Sequence, residues 1–491
     1  MDKLRNTAAK GVGYTGLSMV LTTVFLMLRT VILARILKPE DFGLMAIALV
    51  VMGFVDIFGQ MGFHEAIIYK KNPTRNELSS LYIFSIGIGV SLFLAISFGA
   101  AAIENAYKMP GLKEILSVTS IAFIITPFGN QFKALAQKGL NFRILAISDV
   151  VAATANLVVA VCCAWIFRLG VWSLVWGTLS GSTIAAAIMM AYGWKNLNMP
   201  MLRFRFRDVS EYLNFGVYRA LAMCANFLNA RMDQLMIGWL MGPAAVGYYS
   251  MAYNLVIVPV TKLNPVITKV AFPLFAKVQE DALTLKKGYL RVVKIVSFVN
   301  SPILLGVAAV SPVALPFLLG EKWTQAVPIL QILALVSFFR AVGNPVGSLI
   351  LAKGRSDWSF YWNLALIPVT FVFIYFSAKS GNIIVVAWAL VAMQAVAFPV
   401  SYMLLIRSLI GECFLEFSAA SFFHLVGALP MAAAAAALPV AFPRMDTAIM
   451  LAAQIVLGAG VYYALARLVM REELNDMSKM FSVWSKRVAP K

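Results

Sequence analysis

The chain of 491 residues is 61% hydrophobic and only 13% charged, with a mean hydropathy of +0.82. Soluble domains run nearer half apolar and a quarter charged, so this composition excludes a water-soluble protein and predicts an all-α integral membrane protein. The net charge of +19 would suit a nucleic-acid binder, but the Lys and Arg gather in alternate loops, which is the positive-inside bias of membrane topology. No nucleic-acid partner is expected.

In chain order, about fourteen apolar stretches are long enough to cross a bilayer as helices. Spans 1 to 6 are predicted at 12–34, 42–63, 80–103, 115–136, 145–167 and 171–193. No small-residue cleavage site follows the first apolar core, so that span is expected to be retained. A basic linker, 194–212, holds "RFRFR" at 203–207. Its arginines suit the anionic headgroup layer of membrane lipids, with the phenylalanines dipping inward. Spans 7 to 12 follow at 213–240, 246–268, 292–318, 325–351, 360–378 and 382–406, and spans 13 and 14 at 421–442 and 447–470. The loop charges place both termini, including the tail 471–491, on the cytoplasmic side. The four cysteines form no metal spacing and no disulfide framework.

The two sides of the linker look like copies. "LARILKPEDFG" (33–43) and "IGWLMGPAAVG" (237–247) align at a constant offset of 204, matching Pro39 to Pro243 and Gly43 to Gly247. "FGNQFKALAQKG" (128–139) likewise resembles "VGNPVGSLILAKG" (342–354). The expected architecture is two six-helix lobes, 1–193 and 213–406, forming a pseudo-repeat around a central cavity, with 407–470 carrying the two extra spans.

Four spans carry a polar stripe at helical spacing. Span 1 has Thr15, Ser18, Thr22, Phe25 and Arg29; span 2 has Gly53, Asp56, Gln60 and His64. Span 7 has Gly216, Arg219, Met223, Asn226, Asn229 and Asp233; span 10 has Ser337, Arg340, Asn344 and Ser348. An arginine at mid-membrane costs about 2.5–3.5 kcal/mol on insertion scales, so it faces a bundle interior or a wet cavity and answers to a partner. Two partners are open. Asp56, Asp149 or Asp233 can pair with an arginine statically. Alternatively, because basic groups outnumber acidic ones within the spans, Arg29, Arg219 and Arg340 together hold an anion, with Asn226 and Asn344 beside them. Arg231 lies two residues off its stripe, and Lys262 sits near a span end where topology explains it equally well; both remain further candidates. Asp56, Asp233 and Asp149 are candidates for coupling transport to a proton or sodium gradient, since an anion bound near a membrane carboxylate shifts its protonation. Pro259, Pro265 and Pro345 are candidate bending points, the last two preceded by Asn residues able to satisfy freed backbone groups. No catalytic constellation, zinc spacing or phosphate-cradling glycine loop is present, so neither an enzyme nor a cofactor is expected.

"YYSMAYNLVIVPVTKLNPVITKVAFPLFAKVQED" (248–281) and "GEKWTQAVPILQILALVSFFRAVGNPVGSLILAKGRSD" (320–357) closely resemble the colanic-acid-exporter type of Wzx-like polysaccharide transporter. "TVILARILKPEDFGLMAIALV" (30–50) and "PFGNQFKALAQKGLNFR" (127–143) fit the same pattern, which would also suit the wider multidrug/oligosaccharidyl-lipid/polysaccharide exporter superfamily. The resemblance covers residues 1 to 410, and the last two spans by hydropathy alone. It implies a flippase that moves undecaprenyl-diphosphate-linked oligosaccharide repeat units across a bacterial inner membrane by alternating access. It also implies polysaccharide polymerase and chain-length machinery as partners, and supplies the anion: a diphosphate among Arg29, Arg219 and Arg340, where guanidinium forks suit phosphate oxygens. The rivals are a multidrug antiporter of the same superfamily and a polysaccharide polymerase or glycosyltransferase. The first would favour acidic and aromatic cavity residues, and the second a substantial extracytoplasmic loop.

Overall fold

A computed structural model describes residues 2–474 apart from 61, 71, 72, 197–199 and 202; at 2–10, 12, 65, 211–219, 222, 259 and 356 it describes the backbone alone. Among the described residues every regular element is a helix. A bilayer imposes this, because it offers backbone groups no water to bond and only a helix satisfies them within one segment. The first part of the chain forms α1 (Asp2–Ile36), α2 (Pro39–Gln60), α3 (Arg75–Tyr107), α4 (Leu112–Ile125), α5 (Pro127–Lys138), α6 (Phe142–Trp165) and α7 (Trp172–Asn196). A long α8 (Phe206–Lys277) leads into α9 (Ala282–Leu319), α10 (Ala326–Gly343), α11 (Pro345–Ala352), α12 (Ser356–Ala378), α13 (Ile383–Ile410), α14 (Phe414–Ala441) and α15 (Thr447–Val469).

Helix starts follow local chemistry. Thr74 and Glu77 form a reciprocal capping box at the head of α3, and the Asp281 carboxylate accepts from the Leu283 and Thr284 N–H groups at the head of α9. The breaks are equally local. Predicted span 4 is not straight: α4 and α5 meet at 47°, where Pro127 has no N–H to continue the ladder. Pro302 and Pro312, by contrast, lie inside the uninterrupted α9.

Among the described residues twelve helices are long and apolar enough to cross a membrane, or thirteen if the bent pair counts as one. One of the twelve, Met223–Lys277, has 55 residues. At about 1.5 Å per residue it would run about 80 Å, more than twice the hydrocarbon thickness. It holds predicted spans 7 and 8, divided at Gly242, whose φ of 83° and ψ of −177° belong to a region only glycine adopts readily. Large apolar side chains stand exposed along these helices, among them Phe98, Trp165, Val456 and Leu415. In water such a surface would drive aggregation; against lipid tails it is the expected solvent-facing surface.

The described residues pack as two compact units, one ending at Gly247 and one beginning at Tyr248. Packing therefore divides the chain at the break inside α8, a different place from the basic linker that separates the sequence halves. In the first unit α6 lies along both α1 and α7; in the second, α9 packs against α10 and α14, and α14 against α15. Within the first unit the two repeated turns meet each other. A Cβ on Gly43 would overlap the carbonyl oxygen of Pro243, and a Cβ on Gly247 would overlap that of Pro39. Each glycine thus admits the other turn's proline carbonyl, a reciprocal contact of the kind a two-fold axis generates.

Candidate functional site

Arg29 lies inside the apolar stretch Gly13–Ile36 of α1. Its Nη1 donates to the side-chain oxygen of Asn156 on α6 at 2.7 Å, and its Nε is buried without a protein acceptor. No carboxylate among the described residues pairs with it. Among the described residues its charge is oriented by one neutral oxygen.

Arg340 closes α10 in the second unit. Its Nη1 donates to the Tyr253 hydroxyl at 3.1 Å, and its guanidinium carbon stands 5.6 Å from the centre of the same ring. Tyr253 is stacked on Tyr249 one turn earlier, at 6.1 Å between centroids. An aromatic hydroxyl and a ring face are again neutral partners with favourable geometry for a cation. Asn344, one turn beyond Arg340, is exposed.

The third arginine of the set, Arg219, lies outside the described side chains, as does Pro259. Asn226 on the same stripe is exposed. Arg231 donates from Nη1 to the Gln234 side chain at 3.2 Å. Asp233 is buried, and its carboxylate accepts the backbone N–H of Gln234 at 2.8 Å. Lys262 is exposed on α8.

The three carboxylates differ. Asp149 forms an ion pair with Lys133 at 3.1 Å, both side chains 44% exposed. Asp56 is half-buried and accepts from the Gln60 amide one turn on, with no cation among the described residues paired to it. The ion-pair partner of Asp149 is thus a lysine and not one of the arginines expected as its alternative partner.

The two Asn-Pro pairs come together in the second unit, though not in the way local reading suggests. Pro345 has no N–H for the Ala341 carbonyl four residues back. The Asn264 side chain, from the residue before Pro265 on α8, donates to that carbonyl at 3.2 Å. Asn300 on α9 in turn donates to Asn264 at 2.8 Å and to the Val296 carbonyl at 2.8 Å. Asn264 and Asn300 are buried. The asparagine beside one proline adds a second donor to a carbonyl that also accepts the Asn344 N–H at 3.2 Å, and three helices are tied at one point. Pro265 itself lies within continuous helix.

Three residues that matter here carry no stripe signal: Asn156, Tyr253 and Asn300. Asn156 is a lone amide in an apolar span. Its cue is the "GTLSG" of the following span, whose glycines at 177 and 181 let two helices approach closely.

The family described as "Polysaccharide biosynthesis protein" matches residues 32–328. The "Lipopolysaccharide biosynthesis protein WzxC" of Escherichia coli is 31% identical over 417 residues, 84% of each chain. The "Uncharacterized membrane protein in cps region" of Klebsiella pneumoniae is 29% identical across 97% of this chain and 98% of its own. Among solved structures, "Lipid II flippase MurJ, inward closed conformation" superposes with a TM-score of 0.76 at 15% identity, covering 94% of this chain and 99% of its own. An inward-facing multidrug resistance MATE family transporter of the MOP superfamily gives 0.63 at 14% identity, over 81% and 98%. At those identities the likeness shows the fold alone.

Proposed function

Since the chain belongs to the polysaccharide biosynthesis protein family, we propose that it is a flippase carrying undecaprenyl-diphosphate-linked oligosaccharide repeat units across a bacterial inner membrane. Relatives named for lipopolysaccharide, teichuronic acid and succinoglycan biosynthesis support the substrate class, and a lipid II flippase shares the fold. The observation that carries the reading is Arg29. A membrane arginine with a neutral partner and an unpartnered buried N–H is a positive charge awaiting an anion. A diphosphate answers it with oxygens matched to the guanidinium fork. Arg219 and Arg340, the latter held by Tyr253, are the other arginines proposed for the substrate, with Asn226, Asn344, Arg231 and Lys262 as further candidates.

Both termini and the basic linker are assigned to the cytoplasm by the loop charges, which give fourteen spans once α8 is counted as two and α4–α5 as one. Transport proceeds by alternating access, with bending near Pro345, whose missing N–H opens the helical ladder between α10 and α11. Asp56 is the first choice for coupling to a proton or sodium gradient, because it lacks the cation that fixes Asp149; Asp233 is the second. Handover to a polymerase and its chain-length partners follows from the position of the step. Complementation tests the assignment. Expression in flippase-null strains, each making one polysaccharide, should restore the polymer in at least one, and restoration in none would reject it.

A further inference from the structure

The hydrogen-bond partner of Arg29 among the described residues sits against two glycines. Asn156 projects from α6, the helix that packs along both α1 and α7. Gly177 and Gly181, one turn apart on α7, share a face. A Cβ at 177 would stand 2.6 Å from the Ala160 Cβ and 3.1 Å from the Asn156 side-chain oxygen. At 181 it would stand 3.3 Å from the Asn156 Cβ and 3.5 Å from its side-chain nitrogen. The amide therefore lies against α7 where two side chains are missing, and its oxygen points across to Arg29 Nη1 at 2.7 Å. A side chain at 177 would crowd the amide oxygen, and one at 181 would press first on the Ala152 carbonyl at 3.1 Å and then on the Asn156 Cβ.

The chemistry of the partner matters as much as its place. A carboxylate here would grip the guanidinium with a charge-assisted bond and neutralise it. An amide oxygen fixes the plane of the fork and leaves the charge intact. Nη1 is occupied, while Nε has no protein acceptor. We propose that Asn156 is a positioning residue: locked by Gly177 and Gly181, it presents the free edge of Arg29 to a phosphate group of the lipid-linked diphosphate. This rests on the reading that Arg29 binds that diphosphate.

The test uses the full chain in detergent micelles, with farnesyl diphosphate as probe and farnesol as uncharged control, read by tryptophan fluorescence. The wild type should prefer the diphosphate, and Arg29→Ala should remove the preference. Asn156→Asp should weaken farnesyl diphosphate binding by about tenfold or more near pH 7.5 and leave farnesol binding unchanged. Relative to the wild type at each pH, that loss should shrink as acidification protonates the introduced carboxylate; a merely structural defect would not recover. Asn156→Ser, which is neutral but too short to reach, should weaken binding less, by about threefold to tenfold, at every pH. If Arg29→Ala loses the preference while both Asn156 variants bind like the wild type, the positioning role is wrong and the diphosphate reading stands. If Arg29→Ala keeps the preference, both fall. Should Asn156→Asp fail to fold, wild-type affinity in Asn156→Ser overturns the proposal alone.

Discussion

Arg29 and Asn264 are both polar side chains set in apolar helices, and their surroundings differ in what is left over. Around Asn264 almost nothing is: its nitrogen serves the Ala341 carbonyl, its oxygen takes the Asn300 amide, and both residues are sealed from solvent. Around Arg29 the described residues supply one neutral oxygen and leave the buried Nε without an acceptor. Burying a polar group unsatisfied is expensive, and burying a charge more so. The Asn264 cluster leaves over only a neutral atom, the buried Asn300 Oδ1, and reads as architecture; the charge left over at Arg29 reads as a place for something that arrives and departs.

The largest effect expected from breaking this contrast is at Arg29. Arg29→Ala should abolish export while membrane levels stay normal, and Arg29→Lys should restore it only in part, since the charge survives and the planar fork does not. Immunoblotting beside polymer quantification separates the two outcomes; disappearance of the Ala variant from the membrane would make Arg29 a structural residue after all. Arg340→Ala should follow the same pattern. Asn264→Leu should do the opposite. It removes the buried hydrogen bonds that Asn264 makes to the Ala341 carbonyl and to Asn300, destabilising the second unit by about 1–3 kcal/mol, so the unfolding temperature should fall while the surviving protein still binds farnesyl diphosphate. A variant with unchanged stability and lost binding would move Asn264 into the binding set. Asp56→Asn should keep binding but lose the response to an imposed proton or sodium gradient in proteoliposomes, and a wild-type response would remove it from coupling. Asp149→Asn should be the mildest, because a pair exposed on both sides contributes about 0–1 kcal/mol.

Much of this was legible because the bilayer is a demanding solvent. Hydropathy locates the spans, and the turn at Gly242 falls between predicted spans 7 and 8. The stripe on span 1 singles out Arg29 because a charge there has so few explanations. What could not be read is which helix meets which. Asn264 looks like a cap for its own proline and instead serves the carbonyl opposite Pro345, and nothing in the span-5 sequence marks Asn156 as the partner of a residue more than a hundred positions earlier. Hydrogen bonds between helices depend on helix order and rotation, which apolar periodicity leaves open when every face is apolar. The bend at Pro127 escaped for a related reason. Prolines at 302 and 312 sit in unbroken helix, so the residue alone does not decide.

The reciprocal contact of the two repeated turns has a consequence for how freely either can vary. Each turn places its glycine four positions after its proline, and each glycine receives the other's proline carbonyl. One spacing is thus measured against its own copy, like the two scales of a vernier. Lengthening either turn by a residue would misalign both contacts at once, and a side chain added at Gly43 could not be accommodated by any change at Gly247, since what it strikes is backbone. Two stretches that retain little else in common are held to the same length and the same two small residues by being each other's template.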